Sequence, residues 1–567
     1  MMTTETNTRC AASVFDIHFI QSQICADLTP RDLRRCCLVS WNFYHNFAPY
    51  LYRTIDIGRK STFNKFRRPE SLAALHRYRD HVTQVSCVFA QVWKLLLVHE
   101  CYNLTAIKGL SLPRRPQNRE VNKWATPDIT KLIQVCPKLR VLELSHFLYE
   151  REVVEEFCRA IRNHGGLKEL KIDHFEYVIC KRVREILWST LKLERFYLNM
   201  AVVSTQIMPD EAQTLIDLTG EEDPEFRVRY LDIPWQMYDR EADMFFRYLR
   251  RCPHVERLTV PYMYPFRYAA ELANIISTTM PNLQHLDVHA VHSKGEIISR
   301  LIKACNNLRS FVSSPAQELT NHVITALMKH RESLQELSFV RGTFTTSRQI
   351  QTILCSFPNL EVFDAMVPFD KMCNKNEELT RKGKGDPILN PKDLLSEQGP
   401  WICDKLRVLK LRYLDEWNCT SGKDNDDDDD DKNDYEDESQ FNSDIEDGSK
   451  GVLPITLYEQ IGRMTELEVL WLGRVQKSAT NPVAVADMIS AGDNSGFEAE
   501  QSDNDRSMGA LRRREVRIKN VTKALWELRK LGKIKQLELR NLRPFISRDA
   551  IRQAKSNWRY LKRLHYS

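Results

Sequence analysis

The sequence is poor in several features that mark whole classes of protein. Glycine and proline number only 19 and 23 in 567 residues, which excludes a collagen-like or wholly disordered chain. No apolar run approaches the roughly 18 residues that a membrane span requires. Met1 to Cys10 is also too polar to contain the apolar core of a signal peptide. We therefore expect no membrane contact and a location in the cytoplasm, the nucleus or both.

The 15 cysteines form no recognisable disulfide or zinc framework, because their number is odd and no Cys-x-x-Cys pair occurs. Many lie within apolar patterns, where a free thiol behaves as a small buried hydrophobe. The pattern favours reduced thiols in an intracellular setting. The cysteines in apolar patterns are Cys36, Cys136, Cys158, Cys252, Cys305 and Cys355.

Motifs of known catalytic chemistry are also missing: no Gly-rich phosphate loop, Gly-x-Ser-x-Gly or His-Glu-x-x-His occurs. His285, Asp287 and His289 alternate along one predicted strand. Successive members of that set would lie about 6.5 Å apart, which is too far for a zinc site without other ligands. We therefore predict no enzymatic activity, no metal and no cofactor.

The net charge of +6 conceals an uneven distribution. Asp424 to Asp447 contains 14 acidic residues and one basic residue, so the rest of the chain carries +19. The run Asp426 to Asp431 lacks the spacing and the closing glutamate of a calcium-binding loop, and we interpret it as a solvated segment. The basic remainder leaves nucleic-acid binding as an alternative that is not favoured, because no base-stacking motif or basic helix accompanies it.

A repeat runs through most of the chain. Its unit is an apolar helix-like stretch, often followed by Cys-Pro or Pro-Asn, and then Leu-x-x-Leu-x-Leu. Clear copies begin at Leu139, Leu283 and Leu360, and seven of the eight successive spacings between Leu139 and Leu360 are 25–28 residues. Leucine-rich repeats have a period of roughly 20–29 residues. Weaker matches at Val82–Val85 and Leu104–Ile107 extend the pattern toward the N-terminus.

The two halves of each repeat have different periods. Leu-x-x-Leu-x-Leu alternates apolar and polar residues, which predicts a short half-buried strand, whereas Val153–Ile161 and Ile298–Ile302 have helical spacing. Each unit can bury its apolar face only against its neighbours, so the units are expected to stack. We predict an α/β fold, a leucine-rich-repeat solenoid (horseshoe) over residues 80–567. Longer spacings predict inserted loops, the last two of them disordered, at 204–226, 368–400, 420–450 and 478–506.

Residues 14–57 form a separate helical module. Ile17, Ile20 and Ile24 share one helical face. Thr29–Leu33 has the features of a helix start: a threonine N-cap, a proline at the first helical position and an aspartate in the first turn. Three short helices are predicted as far as Ile55. So small a module buries little surface alone, and we expect it to pack on the repeats or on a partner.

The module resembles an F-box. The resemblance rests on Leu28-x-Pro30-x-Asp32-Leu33, on Leu38-Val39-x-x-x-Phe43-Tyr44 and on Leu51-Tyr52-x-x-Ile55. Phe43 and Tyr52 occupy positions where the family has tryptophan, and Val14-Phe15-Asp16-Ile17 lacks the proline of the family's opening. With the repeats behind it, the chain resembles the F-box/leucine-rich-repeat proteins, which are substrate receptors of Skp–cullin–F-box ubiquitin ligases.

This resemblance implies both partners and residue roles. The F-box would dock on a Skp-type adaptor, and through it on a cullin ligase core, while the repeats would bind a target protein that the sequence does not identify. The alternative is a leucine-rich-repeat interaction scaffold unrelated to ubiquitination, in which residues 14–57 only cap the repeats. The residues implied to bind the adaptor are Ile17, Leu28, Pro30, Leu33, Leu38, Val39, Phe43 and Leu51.

The strand pattern predicts where a target would bind. In a repeat solenoid the strands line the concave face, and residues that alternate with the buried leucines point into it. Tyrosine, tryptophan and arginine most often dominate binding energy at protein interfaces. Each candidate, taken singly, also fits an ordinary solvated strand position. The candidates for target binding are Arg195, Tyr197, Tyr230, Arg257, Lys410, Arg412 and Trp471.

Overall fold

The computed structural model divides the chain into two compact units, residues 1–271 with 275–282 and residues 272–274 with 283–567. Ile17 and the predicted inserts 420–450 and 478–506 lie outside the described residues, as do nearly all of 204–226 and 368–400. The structure describes residues 18–87, 89, 91–111, 125–145, 151–176, 188–189, 191–201, 225–233, 236–237, 245–260, 262–263, 268–289, 295–314, 320–339, 347–365, 388–389, 399–414, 453–475, 528–540, 552 and 556–566.

The first unit opens with three helices, α1 (His18–Asp27), α2 (Pro30–Cys37) and α3 (Trp41–Leu51). Strands and helices then alternate. The elements that follow are β1 (Thr54–Ile57), α4 (Lys60–Phe66), α5 (Pro69–Tyr78), a 3-10 turn (Arg79–His81), β2 (Gln84–Cys87), α6 (Gln91–Val98), β3 (Ala106–Ser111), α7 (Ala125–Val135), β4 (Val141–Ser145), α8 (Arg151–Asn163), β5 (Glu169–Glu176), β6 (Arg195–Ala201), β7 (Tyr230–Asp232), β8 (Gln236–Met237), β9 (Arg257–Val260), β10 (Tyr262–Met263) and α9 (Tyr268–Thr279).

The sheet of the first unit is parallel and follows chain order, β1-β2-β3-β4-β5-β6-β7-β9, and β8 pairs separately with β10. Each strand therefore pairs with the strand of the next repeat, as in a stack of strand–helix units. The two weak sequence matches, Val82–Val85 and Leu104–Ile107, overlap β2 and β3 and belong to the repeat series.

The second unit repeats the same plan, with its strands parallel in the order β11-β12-β13-β14-β16-β17-β18-β19. The short strand β15 pairs with β16 at Arg412 and Tyr413, beyond the end of β14. Its elements are β11 (His285–His289), α10 (Gly295–Ala304), β12 (Ser310–Ser314), α11 (Asn321–Met328), β13 (Glu336–Phe339), α12 (Ser347–Leu354), β14 (Val362–Asp364), β15 (Ile388–Leu389), β16 (Val408–Leu414), α13 (Leu453–Gly462), β17 (Val469–Val475), β18 (Gln536–Arg540) and β19 (Arg563–Tyr566).

The burial of the strands follows the predicted period of two. In β4, Leu142 and Leu144 are fully buried, whereas Val141, Glu143 and Ser145 are only half-buried. The buried leucines form the core under the helices, and the alternate residues form the opposite face of the sheet, which we call the open face. The α/β repeat prediction is thus confirmed within each unit.

One backbone arrangement joins each repeat to the next at the start of its strand. The carbonyl of Thr105 accepts hydrogen bonds from the N–H groups of Arg140 and Val141 at 2.8 and 3.1 Å. The carbonyl of Arg140 then accepts from Lys168 and Glu169, both at 2.9 Å. We call this shared acceptor the backbone stitch. It recurs at the carbonyls of Lys168, Glu194, Arg229, Gln284, Arg309, Gln335, Glu361, Arg407, Glu468 and Lys535.

The cysteines in apolar patterns divide into two groups. Cys136, Cys158, Cys252 and Cys305 are buried free thiols, as predicted, whereas Cys36 and Cys355 are half-buried. Cys36 lies in the small helical module, which has little interior. Burial raises the pKa of Cys136 to about 12, so this thiol stays protonated and unreactive at neutral pH.

Buried histidines provide a second link between repeats. In the second unit, Nε2 of His330 lies 3.0 Å from the carbonyl oxygen of Ile302, and Nδ1 accepts from the N–H of Leu308 at 3.4 Å. His164 makes the corresponding contact to the carbonyl of Cys136 at 2.9 Å. Because Nδ1 of His330 accepts a hydrogen bond, Nε2 carries the proton and the ring is neutral. Burial lowers the pKa of His330.

This geometry predicts a pH-dependent contribution to stability. The folded protein keeps His330 neutral, so the unfolded chain binds a proton more readily once the pH falls below the ordinary histidine pKa of about 6.5. The stabilisation is full above that pH and is lost below it. We expect His330→Gln to lower the free energy of unfolding by about 1–3 kcal/mol near neutral pH, because backbone groups lose their partner.

Thermal unfolding of the full chain at about pH 7.5 and about pH 5.5 provides the measurement. His330→Gln is expected to lose less melting temperature between the two pH values than the wild type does. His322→Gln, which alters an exposed histidine on α11, is the matched control and is expected to behave like the wild type. Equal pH dependence in all three proteins would contradict the prediction.

Candidate functional site

The helical module has a small core of its own. Cys25, Leu33 and Phe47, one from each helix, are buried together. The predicted helix start is confirmed: Thr29 accepts from the N–H of Asp32 at 3.3 Å, and Pro30 is the first residue of α2. Seven further apolar residues pack on this core, namely Ile24, Leu28, Cys36, Cys37, Phe43, Tyr50 and Leu51.

The residues assigned to adaptor binding therefore occupy two different environments. One group packs in the module core: Leu28, Leu33, Phe43 and Leu51. The other group lies at the surface, where Pro30 is exposed and the exposed fractions of Leu38 and Val39 are 79% and 67%. The core residues shape the module, and only the surface group is exposed.

Trp41 belongs to the surface group although the sequence analysis did not select it. Its exposed fraction is 74%, and it follows Ser40, which caps α3 by accepting from the N–H of Phe43 at 3.2 Å. Leu38, Val39 and Trp41 thus surround the turn between α2 and α3, and we call them the apolar turn. The sequence did contain a signal for this exposure: three large apolar residues surround a serine that caps a helix. A helix ends or begins at a cap, so residues beside it do not belong to the buried face of either helix.

An aromatic chain holds Trp41 in place. Its ring stacks on Tyr44 with centroids 5.5 Å apart, and it meets His45 edge-on at 4.7 Å. The hydroxyl of Tyr78, on α5, donates to the hydroxyl of Tyr44 at 3.0 Å, and burial with this bond raises the pKa of Tyr78 to about 12. Tyr78 also stacks on Tyr52 at 4.5 Å. Trp41 is therefore held by contacts that run from the module to the first repeat.

Basic residues adjoin the apolar turn. Arg31, Arg34 and Arg35 are exposed on α2, and the guanidinium of Arg35 lies 3.5 Å from the carboxylate of Asp32. The helix thus has three cations against one carboxylate. An apolar contact with a positively charged edge fits a partner surface that is apolar at its centre and acidic at its edge.

The open face of the first unit brings four predicted target-binding residues together. Arg195, Tyr230 and Arg257 are neighbours in register on β6, β7 and β9. The guanidinium of Arg195 lies 4.8 Å from the ring centroid of Tyr230. Tyr197 lies in the adjacent row, with the ammonium of Lys171 5.0 Å from its ring centroid. Two cations thus cover two tyrosine rings on neighbouring strands.

Carboxylates also approach this part of the open face. Burial and the nearby carboxylates of Asp173 and Asp232 raise the pKa of Tyr197 to about 12. Asp173 also accepts from Nδ2 of Asn199 at 2.8 Å. Some residues at outward positions of the predicted alternation are nevertheless buried, among them Thr259 of β9 and, in the second unit, Ser338 of β13 and Glu538 of β18. The face combines paired charges with aromatic rings, a composition suited to protein recognition.

The open face of the second unit contains the other candidates. The ammonium of Lys410 lies 5.1 Å from the ring centroid of Trp471 and forms an ion pair with Asp364. The backbone of Arg412 pairs with that of Gly473, and its side chain lies outside what the structure describes.

The strand starts of the first unit also bear charged side chains around a shallow depression. Nζ of Lys168 lies 2.6 Å from the carboxylate of Glu194, which lowers the pKa of that group. Arg229 and Glu256 form a further ion pair. Exposed pairs of this kind contribute about 0–1 kcal/mol each. The lining residues are Glu194, Arg227, Arg229, His254, Glu256 and Asn282.

The described residues contain neither a cluster of metal ligands nor a membrane-spanning helix. No group of three or more histidine, cysteine, aspartate or glutamate side chains is arranged there to hold a metal ion. In the same part of the chain, every helix is too short or too polar to span a bilayer.

Comparison with solved structures finds distant likenesses. No protein-family profile matches the sequence, and no curated protein matches it either. The chain is similar to the leucine-rich-repeat-containing protein LegL7 from Legionella pneumophila, with 12% identity, a TM-score of 0.30, and coverage of 51% of this chain and 83% of that one. It is also similar to a chain of the Rad7 and Elc1 complex in yeast, with 14% identity, a TM-score of 0.33, and coverage of 63% and 90%. The repeat assignment rests on the register and burial described above.

The division of the module into core and surface residues predicts two different responses to truncation. Leu33→Ala removes a buried side chain and is expected to lower the free energy of unfolding by about 2–5 kcal/mol. Leu38→Ala, the matched control, alters an exposed leucine and is expected to change it by less than about 0.5 kcal/mol. Denaturant unfolding combined with limited proteolysis near residue 30 measures both. A loss of stability in Leu38→Ala equal to that in Leu33→Ala would refute the division.

Proposed function

We propose that this chain is the substrate-recognition subunit of a Skp–cullin–F-box-type ubiquitin ligase. The helical module docks on a Skp-type adaptor, and the repeats bind a target protein and present it for ubiquitination. The chain contributes no catalytic residue in this role, because it only brings two other proteins together.

The observation that carries the proposal is the apolar turn. Leu38, Val39 and Trp41 are large apolar side chains that stay exposed although the module is short of core material. Covering such surface gains about 25 cal/mol per Å² of apolar area, so a partner that covers the turn is strongly favoured. The turn also lies within the segment whose sequence resembles an F-box.

The open faces of the repeats support the second half of the proposal. Arg195, Tyr230 and Trp471 are residue types that recur as energetic anchors at interfaces, and each lies on an open face beside a charged partner. The strands hold these side chains at fixed spacings, so little conformational entropy is lost when a target binds.

One observation favours the alternative, a repeat scaffold unrelated to ubiquitination. The hydrogen bond between Tyr44 and Tyr78 and the stacking of Tyr52 on Tyr78 join the module to α5. A helical cap whose only task is to close the first repeat would make the same contacts. The two functions differ in what the apolar turn does, since a cap has no need of exposed Leu38, Val39 and Trp41.

The adaptor prediction concerns the apolar turn alone. We expect the full chain to bind a purified Skp-type adaptor, and we expect Val39→Asp and Trp41→Ala each to weaken binding by about tenfold or more. The aspartate places a charge in the contact, and the alanine removes its aromatic anchor. Equilibrium binding measured by calorimetry, with a melting curve for each protein, provides the test.

The matched control is Val98→Asp, at the end of α6 in the same unit, where the exposed fraction of the valine is 64%. It introduces the same charge at a similarly exposed valine and is expected to leave adaptor binding unchanged. Absence of binding by the wild type would favour the scaffold. Equal loss in Val98→Asp and Val39→Asp would show that the apolar turn is not the contact.

A further inference from the structure

The exposed side of α2 carries three arginines. Arg31, Arg34 and Arg35 are exposed, whereas Leu33 lies on the other side of the helix and is buried in the module core. Residues three or four positions apart are neighbours on a helix surface, so Arg34 and Arg35 both adjoin Arg31. We call these three residues the arginine face.

The arginine face continues into the apolar turn. Leu38, the C-cap of α2, still has helical backbone angles, and its N–H donates to the carbonyl of Arg35 at 3.0 Å. It follows Arg35 by three residues and Arg34 by four, so it lies on the same side of the helix. At 1.5 Å per residue, Arg34 and Arg31 lie roughly 6 and 10 Å from Leu38 along the helix axis. The charged and apolar residues therefore form one continuous surface.

The module compensates this positive charge only in part. The guanidinium of Arg35 lies 3.5 Å from Asp32, which also accepts from the hydroxyl of Thr29. Arg31 and Arg34 have no ion pair among the described residues. Asp27, exposed at the end of α1, precedes Arg31 by four residues and lies outside α2. The arginine face itself contains no carboxylate.

This arrangement is unfavourable for the helix on its own. Like charges three or four residues apart repel one another on a helix surface. Arg31 also lies in the first turn of α2, where the positive end of the helix dipole disfavours a cation. A partner that places carboxylates on this face removes both effects, since it neutralises the arginines.

We propose that the arginine face is the electrostatic part of the adaptor contact: Arg31 and Arg34 pair with carboxylates of the Skp-type adaptor while the apolar turn enters an apolar site beside them. The carboxylates are expected roughly 6–10 Å from that apolar site, as the rise of α2 requires. Opposite charges on two proteins accelerate their association at low salt. This inference rests on the proposed function, because it names the charge that the adaptor presents to the module.

The test measures the association rate of the full chain with the purified adaptor by stopped-flow fluorescence. The wild-type rate is expected to fall as salt rises from about 50 mM to about 500 mM, because salt screens the attraction. The double variant Arg31→Glu/Arg34→Glu is expected to associate about tenfold more slowly than the wild type at the lowest salt. The two rates are expected to converge at the highest salt.

The matched control is Arg59→Glu/Arg68→Glu, which changes the net charge by the same amount. Both arginines are exposed in the same unit, and neither side chain caps the helix that follows it. This variant is expected to associate within about twofold of the wild-type rate. Arg31→Glu/Arg34→Glu is expected to melt at about the wild-type temperature, because no ion pair is lost and a carboxylate at position 31 suits the helix N-terminus.

An association rate that does not depend on salt would overturn the inference. Equal slowing in the two double variants would do the same, as would wild-type association by Arg31→Glu/Arg34→Glu at low salt. The adaptor contact itself is tested separately, since this variant retains the apolar turn and is expected to bind the adaptor at high salt. A failed charge test with intact wild-type binding rejects only this inference, whereas absence of wild-type binding rejects the proposed function.

Discussion

The backbone stitch is the constraint on which the rest of each unit depends. At each stitched strand start, one carbonyl accepts two successive N–H groups from the next repeat, as Arg140 does from Lys168 and Glu169. Only main-chain atoms take part, so the side chain at the stitched position is free to vary. Arginine, lysine, glutamate and glutamine all occur there. The stitch fixes the register, and the register determines which side chains become neighbours on the open face.

Consequently, the buried side chains and the side chains of the open face lie in different rows of the same strands. The core rows are uniform, with Leu142 and Leu409 fully buried under their helices. The outward rows differ between the units: Arg195 lies over Tyr230 in the first unit, and valines lie side by side in the second. A common backbone thus presents different surfaces, because changes in an outward row leave the core packing untouched.

Features set by local chemistry were predictable from the sequence, and features set by register were not. The helix start at Thr29 and the buried leucines of β4 follow from capping and from the period of two. The exposure of Trp41 was missed because an aromatic residue in a small module is expected in its core. The partners of Val408 were missed because they lie 46 and 61 residues away in sequence, outside the regular spacing of the repeats. The two-residue strands, such as β15, contain too few residues to produce any period.

Two surface features therefore differ in how the sequence encodes them. The apolar turn is contiguous in sequence, and the contacts from Trp41 through Tyr44 to Tyr78 hold it. The row of Val362, Val408 and Val469, in register on the open face of the second unit, is composite. It is equally determined, because each valine is itself a donor in a backbone stitch: Val408 donates to Glu361 and Val469 donates to Arg407. The chain between two stitched residues can lengthen without moving either of them, since loop closure adds only about 0.6 kcal/mol for each doubling of length. Irregular spacing in this part of the sequence is thus compatible with a regular open face.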